Sequence, residues 1–203
     1  MLLLLVRHGH GPHVGKRLPT GESPLSKQGL QQADELVARF EGVRLDSVVS
    51  SPMQRAKQTG TPLARARRLK IKTYPGLGDV RYGKLGGKTL KQVFKGDIPG
   101  RLAIWPTDVR FPDGETLRET QLRGVEVVEQ LRVGHAGKVV AAFSHGDPIR
   151  LILAHYLGVH ADLFRRIAID PVGVSAIDLR GGMPQIRRIN DTGSLRDLAP
   201  EQA

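Results

Sequence analysis

Leu2-Leu3-Leu4-Leu5-Val6-Arg7-His8-Gly9 begins as five apolar residues in succession and ends abruptly in Arg, His and Gly. A run this short and apolar at every position fits a β-strand covered on both faces, as in the middle of a parallel sheet. It is too short to span a bilayer. No basic segment precedes it and it stops too soon for a secretion signal, so a cytoplasmic location is expected.

Outward from this strand the pattern alternates. Ser26 reads as the cap of a helix with an apolar face of Leu30, Ala33, Val37 and Phe40. Residues 46–50 read as a second strand. Ser51-Pro52 then opens a second helix, with Ser as cap and Pro in first position. A weaker strand is expected over 71–74. The Gly- and Pro-rich stretch 75–112 reads as loop with one short helix near 89–94. A helix over 115–131, a strand over 138–143 and an apolar helix over 148–157 follow, with Asp147 read as the cap of the last or as a residue that orients a pocket histidine. Strands 175–179 and 185–189 form a hairpin around Arg180-Gly181-Gly182. This order predicts an α/β three-layer sandwich: a mostly parallel central sheet with one or more antiparallel strands, and helices on both faces. Residues 1–203 are expected to form a single domain, with a polar, flexible tail over 194–203.

Composition narrows the chemistry. Hydrophobic residues make up 39% and charged residues 25%, an ordinary globular mix that excludes wholesale disorder. The absence of Cys excludes a disulfide framework, a thiolate metal site and a cysteine nucleophile. Lys and Arg number 31 against 20 Asp and Glu, and the resulting net charge of +11 suits an anionic partner.

Ligands of such sheets bind beyond the carboxyl ends of the strands. Three strand exits carry the same kind of residue: Arg7-His8-Gly9, Ser51-Pro52-Met53-Gln54-Arg55 and Ser144-His145-Gly146-Asp147. Glycine after each histidine allows close backbone approach to a ligand. Arg55 falls in a first helical turn, where the helix already favours anions. A lone histidine after a strand is commonly structural. Two arginines and two histidines on one rim instead make a pocket for a tetrahedral dianion.

These segments together resemble the histidine phosphatase superfamily, the phosphoglycerate mutase-like family, in its phosphatase branch. The resemblance rests on Leu4-Leu5-Val6-Arg7-His8-Gly9, Pro24-Leu25-Ser26-Lys27-Gln28-Gly29-Leu30-Gln31-Gln32-Ala33, Ser51-Pro52-Met53-Gln54-Arg55-Ala56-Lys57-Gln58-Thr59 and Ser144-His145-Gly146. Order and spacing match from Leu2 to about Gly158. The resemblance implies that His8 is a nucleophile that is transiently phosphorylated, and that Arg7, Arg55 and His145 hold the phosphoryl oxygens without a metal or cofactor. It places a proton donor and acceptor in the loop after the third strand, where this chain has Asp79 and many members have Glu. It further implies substrate contacts at Gly146, Thr20, Gly21 and Tyr82, and a monomer or homodimer acting on a small phosphorylated substrate, with no membrane.

Two alternatives stay open at this level. Tyr82-Gly83 resembles the loop of the cofactor-dependent mutases, but the segment 88–110 is short for one, and Val14 stands where the family commonly has Asn. The basic run Arg65-Ala66-Arg67-Arg68-Leu69-Lys70-Ile71-Lys72 motivates a non-catalytic, nucleic-acid-binding or regulatory role, although no recognised binding motif accompanies it. His10 and His13, beside the nucleophile, read either as solvated loop residues or as substrate contacts.

Overall fold

A computed structural model describes residues 1–12, 16–93, 95 and 98–198, the side chains of 98 and 99 excepted. His13 and Val14 lie outside the described residues. Six strands form one sheet in the order β3-β2-β4-β1-β5-β6, with β1 Leu2–Arg7, β2 Ser47–Ser50, β3 Ile71–Thr73, β4 Val139–Ser144, β5 Val174–Asp178 and β6 Gln185–Asp191. The pairings β3-β2, β2-β4 and β4-β1 are parallel, while β5 runs antiparallel to β1 and to β6.

Around the sheet lie α1 Lys27–Arg39, α2 Gln54–Ala66, α3 Leu90–Val93, α4 Ile98–Ile104, α5 Leu117–Gly134 and α6 Gly146–Leu157. The alternation of β1 explains the layers. Leu2, Leu4 and Val6 pack with Leu36 and Phe40 of the α1 region and Leu63 of α2. Leu3 and Leu5 pack on the other face with Val128 and Leu131 of α5 and Ile149 and Ile152 of α6. Both faces of β1 are thus covered, which is why the run needs no polar alternation. Truncating Leu3 or Leu4 to Ala would cost about 2–5 kcal/mol, a large share of an ordinary domain's stability. A third cluster, with Val80, Phe111, Leu117 and Phe164, underlies the loops at one end. Among the described residues no helix is long and apolar enough to cross a membrane.

Several local expectations are corrected. In α1 the buried positions are Gly29, Ala33 and Leu36, followed by Phe40, whereas Leu30 is exposed and Val37 only half-buried. The apolar face is therefore rotated by one residue, and the glycine allows the helix to approach the β1 exit. α2 starts two residues later than expected, with Met53 at its cap position and no side-chain cap. Asp147 does not cap α6: His145 holds that position, and Asp147 lies in the first turn, paired with Arg150 at 2.8 Å. The stretch 75–112 holds α3 and α4 besides three short 3₁₀ turns. The tail is tied down as far as it is described, for Leu195 is fully buried against the α1 side of the sheet.

Candidate active site

β2, β4 and β1 are neighbours and run parallel, so their carboxyl ends share one rim. Arg7 pairs in register with Ser144, and Ser50 with Phe143, which sets the three exits side by side. A cavity of about 430 Å³ opens there. Its walls include Arg7, His8, Arg55, Asp79, Tyr82, Gly146 and Thr20.

His8 is 7% exposed. Its Nδ1 lies 2.7 Å from the Gly9 carbonyl, which accepts the ring proton there, and its Nε2 accepts from Arg55 Nε at 3.3 Å. Burial, and then the Arg55 charge, push its pKa down to about 3. The ring is therefore neutral, with its lone pair on Nε2. Its backbone is held equally firmly. His8 N–H donates to the Ser144 carbonyl, and Gly9 N–H to Thr59 Oγ1.

Gly9 corrects the expectation of ligand approach. A Cβ there would lie 2.7 Å from the Gly29 carbonyl oxygen, and a Cβ on Gly29 only 2.1 Å from that of His10. This glycine pair lets the β1 exit lie on α1. His10 belongs to the same scaffold, with Nδ1 at 3.1 Å from Ser26 Oγ and its N–H donating to Gln32 Oε1. It does not line the cavity.

Arg55, in the first turn of α2, is 2% exposed. Besides His8, its guanidinium donates to the Thr20 carbonyl at 2.7 Å and to Asp79 Oδ2 at 2.7 Å. Asp79 is buried, and burial raises its pKa. The Arg55 charge opposes that rise, and the Asp147 charge adds to it.

His145 is fully buried, 5.1 Å from His8 between ring centroids. Its Nε2 lies 2.9 Å from Ser51 Oγ. That hydroxyl already accepts from Met53 N–H, so its own hydrogen is available to Nε2. The ring proton then sits on Nδ1, which is 3.6 Å from Asp79 Oδ2. Desolvation first, and then the Arg55 charge, keep this ring neutral. Among the described residues, His145 Nδ1 and Arg7 Nε are buried without a hydrogen-bond partner. Buried donors are rarely left unpaired, because desolvation costs about 1–3 kcal/mol each. Together they suit incoming anionic oxygens. Arg7 is anchored by Nη1, which donates to the Ile169 carbonyl at 2.6 Å.

The structure thus brings Arg7, His8, Arg55, Asp79, His145 and Gly146 into one site. Thr20 and Tyr82 join the outer wall, Tyr82 with its ring edge-on to Phe111. Gly21 lies off the main cavity, in an adjoining cleft of about 290 Å³ that also reaches Arg55 and Asp79. The basic run 65–72 lies elsewhere. α2 starts at the site rim and carries Arg65 to Lys70 some 13 residues away, about 20 Å, while Ile71 and Lys72 belong to the edge strand β3, which runs back beside β2. Sequence reasoning missed Ser51 as the partner of His145. It also missed Arg17, Ser23 and Arg150 on the cavity wall. Arg150 was findable: it follows Asp147 by three residues on the helix that leaves the third exit. Among the described residues no group of three or more His, Asp or Glu is gathered as metal ligands would be.

The profile of the histidine phosphatase superfamily (branch 1) matches residues 3–192. Phosphoserine phosphatase 1 of Hydrogenobacter thermophilus is 27% identical over 98% of this chain and 96% of its own length. The adenosylcobalamin/alpha-ribazole phosphatase of Escherichia coli is 25% identical over 94% of this chain and 96% of its own. Among solved structures, Bacillus stearothermophilus YhfR superposes with a TM-score of 0.87 at 24% identity, covering 95% of this chain and 98% of its own, which shows a shared fold.

Proposed function

The chain belongs to the histidine phosphatase superfamily, and we propose that it hydrolyses small phosphorylated metabolites through a phosphohistidine on His8. The observation that carries this reading is a neutral imidazole lone pair in one cavity with the unpartnered Arg7 Nε, a buried arginine and a buried carboxyl group, with the unpartnered His145 Nδ1 directly behind them.

The phosphoryl dianion is received by Arg7 Nε, His145 Nδ1 and the Arg55 guanidinium. Arg55 then gives up its bonds to His8 and Asp79. His8 Nε2 attacks phosphorus as the bond to the leaving oxygen breaks, and the Asp79 carboxyl group delivers its proton to that oxygen. The Gly9 carbonyl keeps the Nδ1 proton and offsets the positive charge developing on the ring. Water then attacks the phosphohistidine and gives its proton to the Asp79 carboxylate. The P–N bond breaks, releasing phosphate and neutral His8. Arg7, Arg55 and His145 are fixed before the charge spreads, so each such donor is worth about 3 kcal/mol of barrier.

Two relatives named as phosphatases of small molecules support the substrate class. The cavity volume supports it as well. Arg17, Ser23 and the Asp147–Arg150 pair on the outer wall suit a polar leaving group. The enzyme acts as one catalytic domain, monomeric or homodimeric, in the cytoplasm.

The test separates hydrolysis from transfer. The protein is given p-nitrophenyl phosphate, a panel of phosphomonoesters, and 3-phosphoglycerate with catalytic 2,3-bisphosphoglycerate. We expect phosphate release, an acid-labile phosphoryl group trapped on the protein, and loss of both in His8→Ala. Isomerisation of phosphoglycerate faster than phosphate release would make the chain a mutase. Unchanged turnover in His8→Ala would remove the site altogether.

A further inference from the structure

The Asp79 loop is held from behind by a pair, a half-buried Arg123 and a buried Glu115, that touches no part of the cavity. Arg123, in the second turn of α5, directs all five of its N–H donors at this loop and at Glu115. Nη1 donates to the carbonyls of Gly76 and Gly78, each at 2.8 Å. Nη2 donates to the carbonyl of Asp79 itself at 2.9 Å and to Glu115 Oε1, and Nε to Glu115 Oε2 at 3.1 Å.

Glu115 closes the other side. It is 1% exposed, its Oε1 accepts from Arg81 N–H at 2.9 Å and from Thr120 Oγ1 at 2.8 Å, and its own N–H donates to the Arg81 carbonyl. The one remaining carbonyl of the segment, that of Leu77, accepts from Ser144 Oγ at 2.7 Å, next to His145. Every carbonyl from residue 76 to 79 is therefore committed. Gly76 lies so close to α5 that a Cβ would meet Val127 at 2.5 Å. A planar five-donor fork is suited to this work, because it sets several acceptors in one rigid arrangement.

We propose that Arg123, with Glu115 as its counter-ion, is the positioning residue that sets the Asp79 carboxyl group at proton-transfer distance from the leaving oxygen. The inference rests on the phosphatase reading above. It matters because this chain carries Asp, one methylene shorter than Glu, so the backbone has to be placed well for the carboxyl group to reach.

The experiment compares two esters with the full-length protein. p-Nitrophenyl phosphate departs as a stable anion and needs no proton, whereas β-glycerophosphate departs as an alkoxide and does. kcat/KM reports only the steps through leaving-group departure. In Arg123→Gln we expect kcat/KM for β-glycerophosphate to fall about 100-fold, the scale of a small misplacement of a reacting group, and that for p-nitrophenyl phosphate to change by less than about threefold. Should the single variant fold poorly because the buried Glu115 then keeps only the exposed Arg81 guanidinium, 3.1 Å from Oε2, as its ion-pair partner, the pair Arg123→Gln/Glu115→Gln removes both charges and is expected to show the same selectivity. An equal fall for both esters in a folded variant, or no fall in either, overturns the inference and leaves the phosphatase reading standing. Unaltered protein inert toward both esters sinks the phosphatase reading, and the inference with it.

Discussion

Arg55 Nη2 and Asp79 Oδ2 lie 2.7 Å apart in a buried ion pair, and the same guanidinium donates through Nε to His8 Nε2 at 3.3 Å. One cation thus restrains both the proposed nucleophile and the proposed proton donor. Arriving phosphate competes for it. Once Arg55 turns to the phosphoryl oxygens, the group lowering the Asp79 pKa is shared, while burial and the Asp147 charge still raise it.

Binding of inorganic phosphate should therefore be accompanied by proton uptake at Asp79. Calorimetric titration in two buffers of different ionisation enthalpy measures that uptake. Asp79→Asn should take up fewer protons than the unaltered protein. Identical uptake by the two would break the coupling.

Ser51→Ala should lower kcat/KM about tenfold. The variant leaves His145 Nε2 without the hydroxyl 2.9 Å away, and a buried ring nitrogen without its partner costs about 1–3 kcal/mol. Its tautomer is no longer specified, so Nδ1–H is not always presented to the phosphoryl group. Steady-state kinetics with p-nitrophenyl phosphate decide it, and unchanged kcat/KM would show that Ser51 does not orient His145.

Gly29→Ala should both destabilise the protein and impair it. The new Cβ would sit 2.1 Å from the His10 carbonyl oxygen, which is backbone and cannot swing away. A cost of about 1–3 kcal/mol is typical of such overpacking, and the displaced loop carries His8. Gly134→Ala, where nothing lies within 4 Å, is the control expected to be neutral. Thermal melts and phosphatase assays on both variants check this.

Stability should carry a pH signature from His8. Its folded pKa is about 3, against ~6.5 for an unperturbed histidine. Between those values the unfolded chain binds a proton that the folded chain refuses, so stability falls as pH falls through that window. His8→Gln removes this contribution. Its Tm measured against the unaltered protein should rise steadily as pH is lowered from about 7 to about 4. A pH-independent difference between the two would show that His8 is not buried in its neutral form.

Leu195→Ala should lose about 2–5 kcal/mol, as expected of a core leucine, because this side chain is fully buried beside Phe40 and Val43. A Tm close to that of the unaltered protein would instead support a loose tail.

The sequence by itself determined the architecture and placed most of the candidate site residues on one rim. Leu2 to Val6 and the apolar run of β4 could only be central strands. The abrupt change to Arg7-His8, Arg55 and Ser144-His145 then marked the carboxyl-end rim, because a parallel sheet brings successive exits to the same edge. Asp79 was legible only through family resemblance, since a single carboxyl group in a Gly-rich loop has no periodicity to betray it.

Tertiary structure decided the rest. That Gly9 serves packing against Gly29 depends on the distance between two elements some 20 residues apart. That Ser51 holds His145 depends on two strand ends 94 residues apart meeting at 2.9 Å. That Arg123 holds the Asp79 loop depends on which way α5 faces. Local sequence sets strand, turn and helix through backbone preference and apolar spacing. Hydrogen bonds between distant segments have no local signature, and exist only once the layers have packed.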